Sequence, residues 1–273
     1  MKMTVGRPLC LCSLLAALTL GCTGEAVPPP GAGQENAQPQ STQPARPSTQ
    51  PGVQDANAAQ PVEPVGPTRP PKKLATTPSV RFYDVAVEAH HVVYVVDRSG
   101  SMAPTFDEIR VELLRSIGRL EPWQGFHIAL FADNRAIEGP AKGLVPATAQ
   151  NKDAAGRFLK VMHASGQTTV LPALKRAFAA LADADQDKPG KAILLLSDGD
   201  FAGVTGGSRY QTKDGRTLLG NEAVVQFLRD RNKDKAVRVC TFLYHSRDPT
   251  AAKVLTTIAE ENGGTYKRIS PDD

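Results

Sequence analysis

The sequence is short of cysteine where a fold would need it. Four cysteines occur in 273 residues, and Cys10, Cys12 and Cys22 all fall within the first 22. Only Cys240 remains for the body of the chain, so no disulfide framework is available there. Set in VRVCTFLY, Cys240 reads as a small apolar core residue. Charge imbalance is lacking too. A formal net charge of +4 is small for this length and excludes the concentrated basic footprint of a nucleic-acid binder. The longest apolar run, Leu9 to Leu20, is about a dozen residues and too short for a comfortable membrane span. No G-x-x-x-x-G-K-[ST] phosphate loop occurs.

Proline is abundant and unevenly placed. Of 22 prolines, 13 lie between residues 28 and 78. The remainder, roughly 190 residues of ordinary composition, is enough for one well-buried core.

The N-terminus, MKMTVGRPLCLCSLLAALTLGC, has the layout of a secretion signal, with Lys2 and Arg7 ahead of the apolar run. The run ends in Leu18-Thr19-Leu20-Gly21-Cys22, which resembles the lipobox of bacterial lipoproteins. Thr19 and Leu20 depart from the usual leucine and small residue. The resemblance implies a leader at 1–22 and a diacylglyceryl thioether on Cys22. Acyl chains that contribute about 0.8 kcal/mol per buried methylene would hold such a protein on a membrane. It further implies the bacterial cell envelope. By analogy with enteric lipoproteins, Thr23 in place of Asp directs the chain to the outer membrane.

Residues 23–78 are rich in Pro, Gln, Ala, Gly, Ser and Thr, with almost no large apolar side chains. Such a stretch buries too little surface to offset its ordering entropy, and is expected to be a disordered tether. Its reach lies between about 40 Å as a flexible coil and roughly 170 Å fully extended.

From residue 79 the pattern changes. Val92–Val96 is a continuous β-branched and aromatic run, as for a strand buried on both faces. Phe106, Ile109, Leu113, Ile117 and Leu120 follow at helical spacing. Further strands are expected at 126–131, 192–196, 236–243 and 265–269, and helices at 150–163, 170–183, 220–231 and 249–261. This alternation predicts an α/β fold, doubly wound, with a mostly parallel central sheet and helices on both faces. Ligands in such folds bind at the carboxyl ends of the strands, near a topological switch point. The polar, Gly-rich stretch 199–218 is expected to form a mobile loop over that edge.

Three segments fall at that edge. The first buried strand runs into Asp97-Arg98-Ser99-Gly100-Ser101, a D-x-S-x-S pattern where strand turns to helix. Ser165-Gly166-Gln167-Thr168-Thr169 opens the helix at 170–183, and Ser197-Asp198-Gly199 closes the strand at 192–196. Here the chain resembles the von Willebrand factor type A family over about residues 80–270. VVYVVDRSGSM is similar to that family's first strand and metal loop, SGQTTVLPAL to its threonine loop, and ILLLSDGD to its T-D-G-E segment. IAEENGGTYKRI resembles the last helix and strand of bacterial members. The resemblance implies a metal-ion-dependent adhesion site of Asp97, Ser99, Ser101, Thr168 and Asp198, with Thr169 as an alternative to Thr168. Two positions depart from the family pattern: Gln167 replaces a glycine and Asp200 a glutamate.

Hard oxygen donors suit Mg²⁺, and also Mn²⁺ or Ca²⁺, rather than a zinc-type site. Mainly neutral donors leave the ion positive. The resemblance therefore implies a protein partner that contributes a carboxylate, and binding without turnover. Two alternatives stay open: a scaffold that docks through 199–218, and a metal-dependent hydrolase. Against the latter, no G-x-S-x-G elbow surrounds Ser99 or Ser101, and no histidine is placed for a triad. His90 and His91 are expected at an exposed strand edge, pointing to opposite faces and unable to share one metal. His127, His163 and His245 have no ligand-like spacing, and Arg229–Lys235 reads as a solvated helix end.

Overall fold

The computed structural model describes residues 78–184, 188–199, 201 and 207–270. The expected leader with Cys22, and all of 23–78 except Pro78, lie outside these residues. Among the described residues no helix is long and apolar enough to cross a membrane.

The chain opens with a hairpin, β1 (Ser79–Phe82) and β2 (Val85–Glu88). It continues through β3 (His91–Asp97), α1 (Phe106–Gly118), β4 (Gly125–Ala132), β5 (Arg135–Gly139), β6 (Val145–Pro146) and α2 (Ala149–Lys160). Then come α3 (Leu171–Ala182), β7 (Lys191–Ser197), β8 (Arg209–Gln211), β9 (Thr217–Leu219) and α4 (Gly220–Arg231). The last elements are β10 (Arg238–Tyr244), α5 (Pro249–Glu261) and β11 (Tyr266–Ile269).

The central sheet runs β11-β10-β7-β3-β4-β5, with β6 pairing the start of β4. The five strands β11, β10, β7, β3 and β4 are parallel, and β5 and β6 are antiparallel to β4. β3 lies at the middle: the chain first goes to β4 on one side and later returns to β7 on the other. The crevice at the C-terminal end of β3 is thus the switch point where doubly wound sheets bind ligands.

The two faces divide by residue parity, as strand geometry requires. Val92, Tyr94 and Val96 of β3 join Ile128, Leu194 and Phe242 in one core, under α1, α2 and the β1–β2 hairpin. Val93 and Val95 join Ala129, Ile193 and Leu243 in the other, under α3, α4 and α5. With a core on each side, every residue of β3 is buried, which accounts for its unbroken apolar run. Two buried hydroxyls in these cores have partners. The Tyr94 hydroxyl lies 2.7 Å from Ser116 Oγ, and Thr241 donates to Leu255 O at 2.8 Å. Cys240 is fully buried, and burial pushes its thiol pKa up, as for an inert core thiol.

The helices and parallel strands agree with the periodicities in the sequence to within a few residues. The short antiparallel strands are additional. β1–β2 turns on Tyr83 and Asp84, at φ 43° and 61°, without the asparagine–glycine signature of such turns. The turn is held from outside: Tyr83 N donates to Glu112 Oε1 at 3.0 Å and Lys267 Nζ to Tyr83 O at 3.0 Å. Two expectations need correction. The stretch 199–218 is not wholly a loop: residues 209–219 form the β8–β9 hairpin, fixed to α4 by a Tyr210 hydroxyl bond to Asp230 Oδ2 at 2.9 Å. His91 is not at an exposed edge. It opens β3 and is 7% exposed, because the bare backbone of Gly125 beside it leaves room for the imidazole. His90 is half-buried, with Nδ1 2.6 Å from Pro189 O.

Pro78 O accepts from Ala89 N at 2.8 Å, so the described chain begins at the pole where the parallel strands start. At that same pole α5 returns into β11 through Gly264. A Cβ there would overlap the backbone carbonyl of Val239, and backbone cannot swing aside. Gly264→Ala is therefore expected to cost about 2 kcal/mol or more, read as a lower urea midpoint. Gly118→Ala, with open space around it at the end of α1, should be neutral or stabilise by up to about 1 kcal/mol. Equal midpoints for the two variants would refute the close approach.

Candidate metal site at the strand ends

Asp97 is the last residue of β3, paired with Phe131 of β4, and is fully buried. Its carboxylate is fixed at both oxygens. Oδ1 accepts from Ser99 N at 2.8 Å, closing the turn, and Oδ2 accepts from Ser197 Oγ at 2.6 Å. Ser99 is 2% exposed, and its hydroxyl lies 3.1 Å from that of Ser101, which faces solvent. The D-x-S-x-S turn thus brings one carboxylate and two hydroxyls together, the outer hydroxyl open to the crevice.

The threonine loop is bonded to this turn along its length. Ser165 N donates to Arg98 O at 2.7 Å and Gly100 N to Gly166 O at 2.9 Å. The Arg98 guanidinium donates from Nη1 to His163 O at 2.9 Å and Ser165 Oγ at 3.0 Å. On the far side, the β4–β5 turn meets Gln167 through Asp133. Thr168 is half-buried and Thr169 buried. Asp198, half-buried, follows Ser197 at the end of β7, close enough for its charge to bear on Asp97. Asp200 lies outside the described residues. The parallel sheet therefore delivers the D-x-S-x-S turn, the threonine loop and the end of β7 to one edge. Sequence reading missed Ser197, Arg98 and Asp133, whose contacts bridge 100, 65 and 34 residues.

Burial pushes the Asp97 pKa up to about 6; the bonds from Ser197 and Ser99 oppose this, and the charge of Asp198 adds to it. Among the described residues no cationic side chain forms an ion pair with Asp97. The adjacent cation, Arg98, is spent on the threonine loop. A buried carboxylate with a second carboxylate near it, hydroxyls beside it and no cationic partner is a donor set that a hard divalent cation fits. Among the described residues no group of three or more His, Cys, Asp and Glu side chains is placed to hold a metal. The donors gathered here are largely hydroxyls, unlike a zinc-type centre.

Removing the Ser197 hydroxyl would leave one oxygen of a buried carboxylate without its donor. Ser197→Ala is expected to lower stability by about 1–3 kcal/mol, measured by urea denaturation at pH 7. A loss within error of zero would mean that the bond does not hold Asp97.

Comparison with known proteins agrees with the fold. The sequence model of the von Willebrand factor type A domain matches residues 92–201. Inter-alpha-trypsin inhibitor heavy chain H4 of Sus scrofa is 30% identical over 189 residues, which is 67% of this chain and 18% of that protein. The chain thus spans less than a fifth of the length of this curated relative. Among solved structures, the von Willebrand factor type A protein from Catenulispora acidiphila aligns with a TM-score of 0.51 at 20% identity. The alignment covers 67% of this chain and 39% of that one. The pilus adhesin SpaC from Lactobacillus rhamnosus GG, in its open conformation, aligns with a TM-score of 0.55 at 16% identity, over 70% of this chain and 29% of that one. At these identities the solved structures speak to fold alone. The sequence match over residues 92–201 and the shared topology agree: this chain carries a von Willebrand factor type A domain.

Proposed function

We propose that the domain is a metal-dependent protein-binding module displayed on the bacterial cell envelope, and that it is not an enzyme. Asp97, Ser99, Ser101, Thr168 and Asp198 would hold Mg²⁺, or Mn²⁺ or Ca²⁺. The observation that carries the reading is the buried Asp97 carboxylate, held at both oxygens, beside two hydroxyls and without a cationic partner.

The bound ion would supply a Lewis-acidic position for an acidic side chain of a protein partner. The protein's own role is to fix the donors before binding. Ser197 and the Ser99 amide orient Asp97, and the Arg98 and Gly100 bonds bring the threonine loop against the turn. Pre-set donors reduce the ordering cost of association. The resemblance of SpaC, named a pilus adhesin, supports binding as the output. The lipobox-like Cys22 would anchor the chain, with the outer membrane as its destination, and the Pro-rich segment would tether the domain.

Calorimetry of Mg²⁺ and Mn²⁺ binding to the full chain tests the site. The wild type is expected to bind with micromolar to millimolar affinity, and Asp97→Ala to lose binding while its circular dichroism is unchanged. Undiminished binding by the variant rejects the assignment. Partner capture should likewise fail with chelator or with Asp97→Ala. Capture that survives both would favour docking through 199–218 instead.

A further inference from the structure

Asp133 sits in the two-residue turn between β4 and β5, where a hairpin demands left-handed backbone. Asp133 and Asn134 have φ 50° and 56°. Both residue types tolerate this region, so the turn alone would accept asparagine or glycine at either place. Asp133 does more than turn the chain. Its backbone N donates to Gln167 O at 2.9 Å, and Gln167 N donates to its side-chain Oδ1 at 2.9 Å. The two bonds form a closed ring between the hairpin and the threonine loop, 34 residues apart.

Gly166 completes the fit. Its φ is 88°, a left-handed backbone that side chains rarely adopt. The space where its Cβ would stand is filled by the Asp133 carboxylate. The opposite side of the same glycine is held by the metal loop, through Gly100 N to Gly166 O at 2.9 Å. The segment immediately before Thr168 is thus gripped between two elements. One is the D-x-S-x-S turn, which itself carries the site. The other is Asp133, which belongs to none of the three motif segments. Its side-chain bond fixes the Gln167 amide, one residue from Thr168.

We propose that Asp133 is a positioning residue for the threonine arm of the site, acting through Gly166 and Gln167 rather than as a ligand. The proposal rests on the metal-site reading above for its consequence, and on the loop contacts alone for its structural basis. A carboxylate that orients a ligand-bearing loop is expected to shift metal affinity by about tenfold, the lower end for partners beyond the ligands themselves.

Two measurements on the full chain test this with different dependence on the metal. The first is hydrogen exchange of the amides of residues 165–169 in chelator. Asp133→Ala should speed exchange at Gln167 about tenfold, while Val92–Val96 of β3 keep their protection; Asp133→Asn, which retains the Oδ1 acceptor, should restore the slow rate. The second is Mn²⁺ affinity followed by electron paramagnetic resonance, weakened about tenfold in Asp133→Ala and recovered in Asp133→Asn. Wild-type exchange at Gln167 in Asp133→Ala overturns the proposal. So does faster exchange with unaltered Mn²⁺ affinity, because the loop would then not set the site. Failure of Asp133→Asn to restore either property assigns the effect to charge and overturns positioning as well. A wild type that binds no Mn²⁺ refutes the metal-site reading and, with it, the consequence for affinity; the exchange result still decides whether Asp133 holds the loop.

Discussion

A carboxylate placed at the end of a doubly covered strand must be met by something. β3 is buried along its whole length because it lies at the centre of the sheet with a core on each side. Asp97 inherits that burial, and its two oxygens are taken up by the Ser99 amide and the Ser197 hydroxyl. These bonds fix direction and supply no positive charge, and burial accordingly raises the acid's pKa. The turn that follows, the serines within it and the loop that docks against it are all arranged around this one group. The topology contributes the rest: only at the switch point beside β3 do the ends of β7 and the threonine loop come to the same place.

Most of the architecture could be read in the sequence because its signals are local. Unbroken apolar runs such as Val92–Val96 and Ala192–Leu196 mark strands with two covered faces, and helical spacing in 106–120 marks the face of α1. The five candidate donor positions stand out in the sequence for a similar reason: each sits at a strand or helix end within a short motif. The short antiparallel strands escaped. Arg135–Gly139 has intermediate burial over most of its length, and β1–β2 turns on Tyr83-Asp84, which carries no hairpin signature. His91 was misjudged because its burial depends on a glycine at 125, in another strand. Arg98, Asp133 and Ser197 were unreadable in their roles. Each acts on a backbone or side-chain group that only the folded chain brings near, and nothing in the residues beside them announces the partner.

The relatives that share sequence with this chain are far longer than it, and the domain accounts for less than a fifth of the pig protein. In this chain Ser101 of the D-x-S-x-S turn is exposed, and so is Leu219 where β9 meets α4.

The position of Pro78 has a mechanical consequence. The described chain begins at the pole where the parallel strands begin, and the candidate site lies at the other pole, a strand length of about 20 Å away. If a load were held at the candidate site, a pull against the chain before Pro78 would not reach the central sheet first. It would reach β1, whose one ladder partner among the described residues is β2, at the open end of the hairpin where Ser79 faces Glu88. Pairs at an open end unzip in succession, whereas β3, β4, β7 and β10 share a continuous ladder that tension along their axes must shear as a block. Under such a pull the hairpin would yield ahead of the sheet, and its buried Val80 and Phe82 would resist that opening.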